Sequence, residues 1–248
     1  LASLPARPCE LIEPFAGGGI VSLTVAFENL AQRVTMVELD DQVAAVWKTI
    51  LNGDGEWLAE RIVNFSLTHE AVRETLANSD PALAEKAFRT ILRNRVNHGG
   101  ILAPGSGLLK HGENGKGLSS RWYPQTLKKR ILEIATLQDK LCIVEGDGLQ
   151  ILRENAPRTD AAFFIDPPYT AAGKRAGSRL YTHNELDHEE LFRLAATLAG
   201  PFLMTYDNAY GVVEMARQHG FSVQAIPMKN THHAQMTELL ISRDLSWA

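Results

Sequence analysis

Several features that would assign the chain to a special class of protein are missing from its sequence. No run of eighteen apolar residues occurs, and no basic segment followed by an apolar one opens the chain, so neither a membrane span nor a signal peptide is predicted. The only two cysteines, Cys9 and Cys142, lie in apolar runs, which favours reduced core residues over a disulfide or a metal pair. No metal site is predicted, and a cytoplasmic location is the simplest expectation.

Acids slightly outnumber basic residues overall, but the basic residues are concentrated in one segment. The net charge of −4 argues against a generally basic nucleic-acid-binding protein. Between Lys86 and Arg130, however, ten lysines and arginines stand against a single acid, Glu113. A solvated helix face, the usual explanation of a charge run, carries both signs. We therefore expect this segment to contact a polyanion.

Short apolar runs alternate with helical patterns along the chain, which is typical of a parallel, doubly wound sheet. The last two runs are joined by about ten residues, too few for a crossover helix, so they are predicted to pair antiparallel. Seven strands are predicted, at Cys9–Glu13, Val34–Glu38, Leu141–Glu145, Ala161–Ile165, Phe202–Tyr206, Phe221–Pro227 and Glu238–Ser242.

One long interval, residues 53–140, contains no convincing core strand and is predicted to be an inserted subdomain. Its first part is helical and ends in Pro81–Asn97. A glycine-rich stretch follows, in which a loop or twisted hairpin would carry Lys110, Lys116 and Arg121. A flexible linker is the alternative, but the interleaved apolar residues of the stretch count against it.

The end of the first strand reads "EPFAGGG", a turn whose glycines let the backbone approach a ligand. Glu38 ends the second strand, where an acid can accept hydrogen bonds from ribose hydroxyls, and Asp147 ends the third, where it could contact an adenine amino group. By themselves these features describe an NAD site equally well, except that Ser22 replaces the third glycine of the dinucleotide pattern.

The fourth strand ends in "FFIDPPYTAAG", and this motif is the most informative of the sequence. Because the two prolines stop the strand, Asp166 is expected at the carboxyl end of the sheet, where open α/β sheets bind ligands. The turn would hold Tyr169 beside it. A turn cap at Asp166 and a core tyrosine are the alternatives.

The order "EPFAGGG", "ELD", "GDG" and "DPPY" on successive strand ends resembles the Dam-like adenine-specific DNA methyltransferases, which use S-adenosylmethionine. The likeness covers nearly the whole chain and includes "RNRVNHGG", "SRWYP" and the final "TELLISR". It implies an α/β class I methyltransferase (Rossmann-like) fold, with a seven-stranded, mostly parallel sheet, an antiparallel last strand and a mainly helical target-recognition insert. The implied catalytic domain comprises residues 1–52 and 141–248, with the insert at 53–140.

The resemblance also implies roles for individual residues. The catalytic motif would be Asp166, Pro167, Pro168 and Tyr169, acting on a flipped adenine. Double-stranded DNA would be bound by Arg95, Lys110, Lys116, Arg121 and Tyr123. S-adenosylmethionine would be bound by Pro14, Phe15, Ala16, Gly17, Gly19, Glu38, Leu39, Asp147, Gly148 and Asp166.

The resemblance also implies expectations about the origin and role of the protein that do not depend on a particular residue. The protein would be bacterial, archaeal or phage-encoded, as part of a restriction-modification system or outside one. An RNA adenine methyltransferase and a nucleic-acid-binding module with a degenerate pocket are the alternatives. Two family features have no close match: a lysine- and glycine-containing segment before the first strand, and the recognition stretch of the GATC enzyme, so GATC is not the predicted target.

Overall fold

The computed structural model describes residues 1, 4, 6–77, 81–102, 106–109, 115–168, 186–229 and 235–247. These residues form two compact units. We call residues 1–39, 140–168 and 186–247 the sheet unit, and residues 40–139 the helical unit.

The sheet unit contains seven strands in the order β3-β2-β1-β4-β5-β7-β6. Strands β1 to β5 pair in parallel, whereas β7 is antiparallel to both β5 and β6. The predicted α/β architecture with a seven-stranded, mostly parallel sheet is therefore confirmed, including the antiparallel last strand. The strands are β1 Glu10–Glu13, β2 Arg33–Glu38, β3 Leu141–Glu145, β4 Ala161–Ile165, β5 Phe202–Asp207, β6 Ser222–Lys229 and β7 Gln235–Ser242.

Nine α-helices are found in the described ranges, four of them in the sheet unit and five in the helical unit. They are α1 Ile20–Phe27, α2 Asp41–Thr49, α3 Gly55–Val63, α4 His69–Ala77, α5 Leu83–Val96, α6 Pro124–Ala135, α7 Gly148–Asn155, α8 His188–Thr197 and α9 Tyr210–Gln218. None of these helices is both long and apolar enough to cross a membrane.

Aspartates begin three of the helices. The side chains of Asp40, Asp147 and Asp187 precede α2, α7 and α8, and each accepts a hydrogen bond from a backbone N–H of the first turn. Such caps satisfy N–H groups that have no partner within the helix. Asp40 and Asp147 each come two residues after the end of a strand. An acid near the end of a strand can therefore also be an ordinary helix cap.

The core of the sheet unit lies between the central strands and the helices that cover them. Phe163, Ile165 and Met204 on β4 and β5 are almost completely buried, together with Leu191 and Phe192 on α8. Parallel strands covered on both faces are expected to be continuous apolar runs. This explains why β4, "AAFFI", could be located from the sequence.

The helical unit has a separate core, formed by Leu58, Ile62, Phe88, Leu92 and Ile131 among others. Its observed first residue is 40, whereas the predicted insert began at 53. The difference arises because α2 packs against α5. Lys86 forms an ion pair with Asp41, and Arg93 Nη1 donates a hydrogen bond to Gln42 Oε1 at 2.5 Å.

The glycine-rich stretch of the helical unit has little regular structure where it is described. Asn97 and Leu108 form an isolated antiparallel bridge, and short 3-10 turns occupy His98–Gly100 and Gly117–Arg121. Lys110 lies outside the described residues.

The two cysteines are exposed, so the prediction that they belong to the core is wrong. Cys9 directly precedes β1, and Cys142 lies on β3, which is an edge strand of the sheet. An apolar run at a sheet edge is covered less completely than one at the centre.

The strand order places a topological switch point between β1 and β4. From β1 the chain runs outward through β2 to β3, and then returns to β4 on the other side of β1. In open α/β sheets, ligands bind outside the carboxyl ends of the strands at such a point. The turn after β1 and the motif after β4 both leave the sheet there.

Candidate active site

The turn after β1 has an open surface at its glycines. Gly17 and Gly19 have positive φ values of 49° and 59°, which residues other than glycine rarely adopt. A Cβ placed on Gly17 or Gly18 would have no atom within 4 Å. The backbone of the turn can therefore be approached closely by a ligand.

Glu38 ties this turn to the end of β2. The backbone N–H of Gly17 donates a hydrogen bond to Glu38 Oε2 at 2.9 Å, and the N–H of Ala16 donates to the carbonyl of Val37 at 2.9 Å. The next residue, Leu39, exposes 49% of its surface. At the end of one strand, a carboxylate can accept hydrogen bonds from the ribose of a nucleoside, and an exposed apolar side chain can contact its base.

The segment after β3 lies directly against the first turn. Asp147 is exposed and caps α7 through Leu149 N, at 2.9 Å. Gly148 is buried, and a Cβ on it would overlap the carbonyl oxygen of Pro14 and come within 2.9 Å of Phe15 Cε1. Gly148 thus has a packing role that is visible in the structure, beside the predicted cofactor role.

Asp166 is exposed immediately after β4, followed by a buried Pro167 and a half-buried Pro168. Its Oδ1 accepts a hydrogen bond from the hydroxyl of Thr205 at 2.7 Å. Thr205 lies on β5, and the pairing of Ile165 with Met204 brings Thr205 beside the end of β4. Tyr169 lies outside the described residues.

A buried carboxyl group lies at the end of β1. Glu13, the last residue of β1, is 3% exposed, and its Oε2 accepts hydrogen bonds from both the backbone N–H and the hydroxyl of Ser22. Burial raises the pKa of Glu13 to about 7. The hydrogen bonds from Ser22 lower this pKa, and the negative charge of Asp166 raises it by a smaller amount than burial does. Sequence reasoning missed Glu13, although an acid ending an apolar run was a usable signal.

Tyr206 and His188 form a further polar pair in the sheet unit that the sequence did not indicate. His188 Nδ1 and the hydroxyl of Tyr206 are 2.9 Å apart, and Tyr206 is completely buried. Burial raises the pKa of Tyr206, and the negative charge of Asp166 raises it further. Burial lowers the pKa of His188. The contact joins β5 to the first turn of α8.

Three arginines cluster in the helical unit. Burial lowers the pKa of Arg95, and the positive charges of Arg121 and Arg130 lower it further. Within the described part of the chain, Arg95 Nε is buried and has no hydrogen-bond partner. A group of guanidinium groups that repel one another is a favourable place for an anion.

The position of Arg121 depends on the glycine-rich stretch. Arg121 Nη1 donates to the carbonyl oxygen of Asn97 at 3.3 Å, and Asn94 Nδ2 donates to that of Gly100 at 2.9 Å. A Cβ on Gly100 would come within 2.7 Å of Arg121 Nη2. Two other predicted DNA-binding residues, Lys116 and Tyr123, are exposed, and the hydroxyl of Tyr123 donates to Ser120 O at 2.9 Å.

Across the residues that the structure describes, no group of three or more His, Cys, Asp or Glu side chains could hold a metal ion. Four acids at or after the ends of strands are instead engaged by hydrogen-bond donors. Glu13 is bound by Ser22, Glu38 by Gly17, Asp147 by Leu149 and Asp166 by Thr205.

Comparisons with known proteins identify no family for the chain and find weak structural likenesses. No protein-family model and no curated protein sequence matches the chain. A proposed methylase from Haemophilus influenzae has 11% identity and a TM-score of 0.39, over 96% of this chain and 88% of the other. A proposed RNA methyltransferase from Pyrococcus horikoshii has 11% identity and a TM-score of 0.38, over 95% and 75%. The precorrin 8w decarboxylase of Methanobacterium thermoautotrophicum has 12% identity and a TM-score of 0.36, over 97% and 84%. Likenesses this weak carry no argument about activity, which has to be inferred from the residues of this chain.

Proposed function

We propose that this protein transfers a methyl group from S-adenosylmethionine to the exocyclic amine of adenine in double-stranded DNA. One observation carries the proposal: Asp166, Pro167 and Pro168 leave β4 at the switch point of the sheet, next to the strand whose glycine turn offers an open backbone surface. The site thus combines a ligand-binding turn with hydrogen-bond acceptors suited to an amine.

The residues around the turn fit the proposed cofactor. The nucleoside part of the cofactor would be held by Glu38 and Leu39 at the end of β2 and by Asp147 after β3. Its methionine part would lie near the open face of Gly17 and Gly18. S-adenosylmethionine, when bound, supplies a methyl group activated by a positively charged sulfur.

The sheet argues against the dinucleotide alternative. A dinucleotide-binding sheet has the order 3-2-1-4-5-6 with parallel strands, whereas here the antiparallel β7 lies between β5 and β6. In addition, Ser22 occupies the position of the third glycine, and its hydroxyl is used by Glu13.

The amine of adenine is a poor nucleophile because its lone pair is delocalised into the ring. The carboxylate of Asp166 and the carbonyl of Pro167 can each accept a hydrogen bond from one of its two N–H groups, which favours a pyramidal nitrogen with a directed lone pair. After it gains the methyl group, the nitrogen must release a proton. Asp166 is exposed and can pass that proton to water.

The target base has to leave the duplex, since the amine cannot be reached inside the helix. We assign the stacking surface for the flipped base to Tyr169, on the basis of its place in "DPPY". In the helical unit, Arg95, Arg121 and Arg130 would bind DNA phosphates, because their charges are close together and none of them belongs to an ion pair of the described residues.

A methyl-transfer assay with tritiated S-adenosylmethionine tests the proposal on unmethylated duplex DNA and, in parallel, on RNA. Digestion to nucleosides identifies the product. We expect N6-methyldeoxyadenosine from DNA. N6-methyladenosine from RNA alone would support the alternative RNA enzyme, and no methylated adenine on either substrate would refute the proposal.

Variants of the motif separate its two tasks. Asp166→Ala should nearly abolish transfer while DNA binding persists. Tyr169→Ala loses a stacking contact worth about 1–3 kcal/mol, whereas Tyr169→Phe keeps the ring and much of the activity. Asp160→Asn, directly before the first residue of β4, is the control. A folded Asp166→Ala enzyme with wild-type activity would mean that the carboxylate only caps a turn.

A further inference from the structure

The hydroxyl of Thr205 donates a hydrogen bond to the side chain of Asp166. Its Oγ1 donates to Asp166 Oδ1 at 2.7 Å. A hydrogen bond of this length to a carboxylate is in the range of strong, charge-assisted bonds. Thr205 itself is 9% exposed, so the donor lies at the inner end of the bond and the acceptor at the surface.

The backbone of Thr205 is held on both sides. Its neighbour Met204 pairs with Ile165 on β4, and Thr205 itself pairs with Leu240 on β7. A β-branched side chain in a strand has restricted rotation about its first bond. The hydroxyl therefore has a nearly fixed position relative to the end of β4.

A donor from a strand restricts the orientation of an exposed aspartate. The terminal torsion of an aspartate is broad, so its carboxylate can rotate with little cost. The negative charge of the nearby Glu13 would also repel it whenever both groups are ionised. A fixed donor counteracts both effects.

We infer that Thr205 is a positioning residue of the reaction: its hydroxyl fixes the carboxylate of Asp166 in the orientation in which it accepts a hydrogen bond from the target amine. The inference rests on the proposed methyl transfer, for which Asp166 is the acceptor. Thr205 does not contact the substrate in this scheme and acts only through Asp166.

The decisive variants are Thr205→Val, which keeps the shape and removes the hydroxyl, and Thr205→Ser, which keeps the hydroxyl. A loss of orientation in a reacting group can cost on the order of 10²-fold in rate. We therefore expect Thr205→Val to lower kcat roughly 10- to 100-fold, with the KM values for cofactor and DNA nearly unchanged. Thr205→Ser should retain most of the wild-type kcat.

Thr35→Val is a matched control, because the hydroxyl of Thr35 also donates to a carboxylate on a neighbouring strand, Glu10 Oε1, at 2.5 Å. Glu10 begins β1, so this bond lies away from the carboxyl ends of the strands. The control should leave kcat unchanged. If Thr205→Val does not fold, Thr205→Ala provides the same test with a smaller side chain.

A second measurement does not depend on activity. In cofactor-free protein labelled with ¹³C-aspartate, the carboxyl resonance of Asp166, identified by its disappearance in Asp166→Asn, should shift in Thr205→Val and keep its position in Thr205→Ser. An unshifted resonance, a wild-type kcat, or a loss of kcat that serine does not restore would each overturn the inference. Inactive wild-type protein would refute the proposed function instead, and the resonance would still show whether Thr205 holds Asp166.

Discussion

The buried carboxyl group of Glu13 should make the stability of the sheet unit depend on pH in an unusual direction. Burial raises its pKa from 4.5 to about 7 in the folded protein. Between these two values the folded protein keeps a proton that the unfolded chain has released. The free energy of unfolding should therefore fall as the pH rises through this window, and level off above it.

The size of the effect follows from the shift. A difference of one pKa unit corresponds to about 1.4 kcal/mol, so the rise of Glu13 from 4.5 to about 7 predicts a loss of about 3 kcal/mol. The group is 3% exposed, so solvent screening reduces this figure little. Most carboxyl groups of proteins act in the opposite sense and stabilise the fold as the pH rises.

Glu13→Gln removes the titrating group and keeps an oxygen that can accept from Ser22. Urea unfolding followed by circular dichroism, from about pH 5 to about pH 8, should show that the variant lacks the loss predicted for the wild type. The control is Glu28→Gln, which changes an exposed acid at the end of α1. If Glu13→Gln retains the full wild-type dependence, the buried carboxyl is not its source and the reasoning is refuted.

Three further outcomes are expected. S-adenosylhomocysteine should raise the melting temperature in a thermal shift assay and NAD should not; a shift with NAD alone would contradict the proposed cofactor. Gly148→Ala should lower the free energy of unfolding by about 1–3 kcal/mol or more, because the added Cβ overlaps Pro14, whereas Gly146→Ala meets only Val144 at 3.8 Å and should change it little. Charge reversal at Lys116 and Arg121 should weaken DNA binding and reduce its log–log salt slope by about 0.9 for each lost phosphate contact; unchanged binding would exclude them from the DNA surface.

The strands could be predicted because burial on both faces of a parallel sheet leaves a plain signal. The apolar runs at Leu141–Glu145 and Ala161–Ile165 have the predicted bounds, and the short connection between the last two runs fixed their antiparallel pairing. The same reasoning failed for Cys142, since an apolar run does not reveal whether its strand is central or at the edge.

The boundary between the units could not be obtained in the same way. The spacing of apolar residues in α2 shows that the helix has a buried face and does not show what covers it. The ion pair of Asp41 with Lys86 and the hydrogen bond of Arg93 to Gln42 join residues 45 and 51 positions apart, so they become visible only when α5 is placed against α2.

The polar contacts of the candidate site differ in how far they reach along the chain, and this decides which of them a sequence can predict. Gly17, Glu38, Asp147 and Asp166 each end or follow a strand, and each could be proposed from its own position. Thr205 could not, because its hydroxyl reaches Asp166 only if β5 is the neighbour of β4, 39 residues away in the chain. The strand-end acids can therefore be listed from the sequence, but the strand order must be known before one can tell which donor orients the carboxylate of Asp166. The variants of Thr205 test whether that direction matters to the reaction.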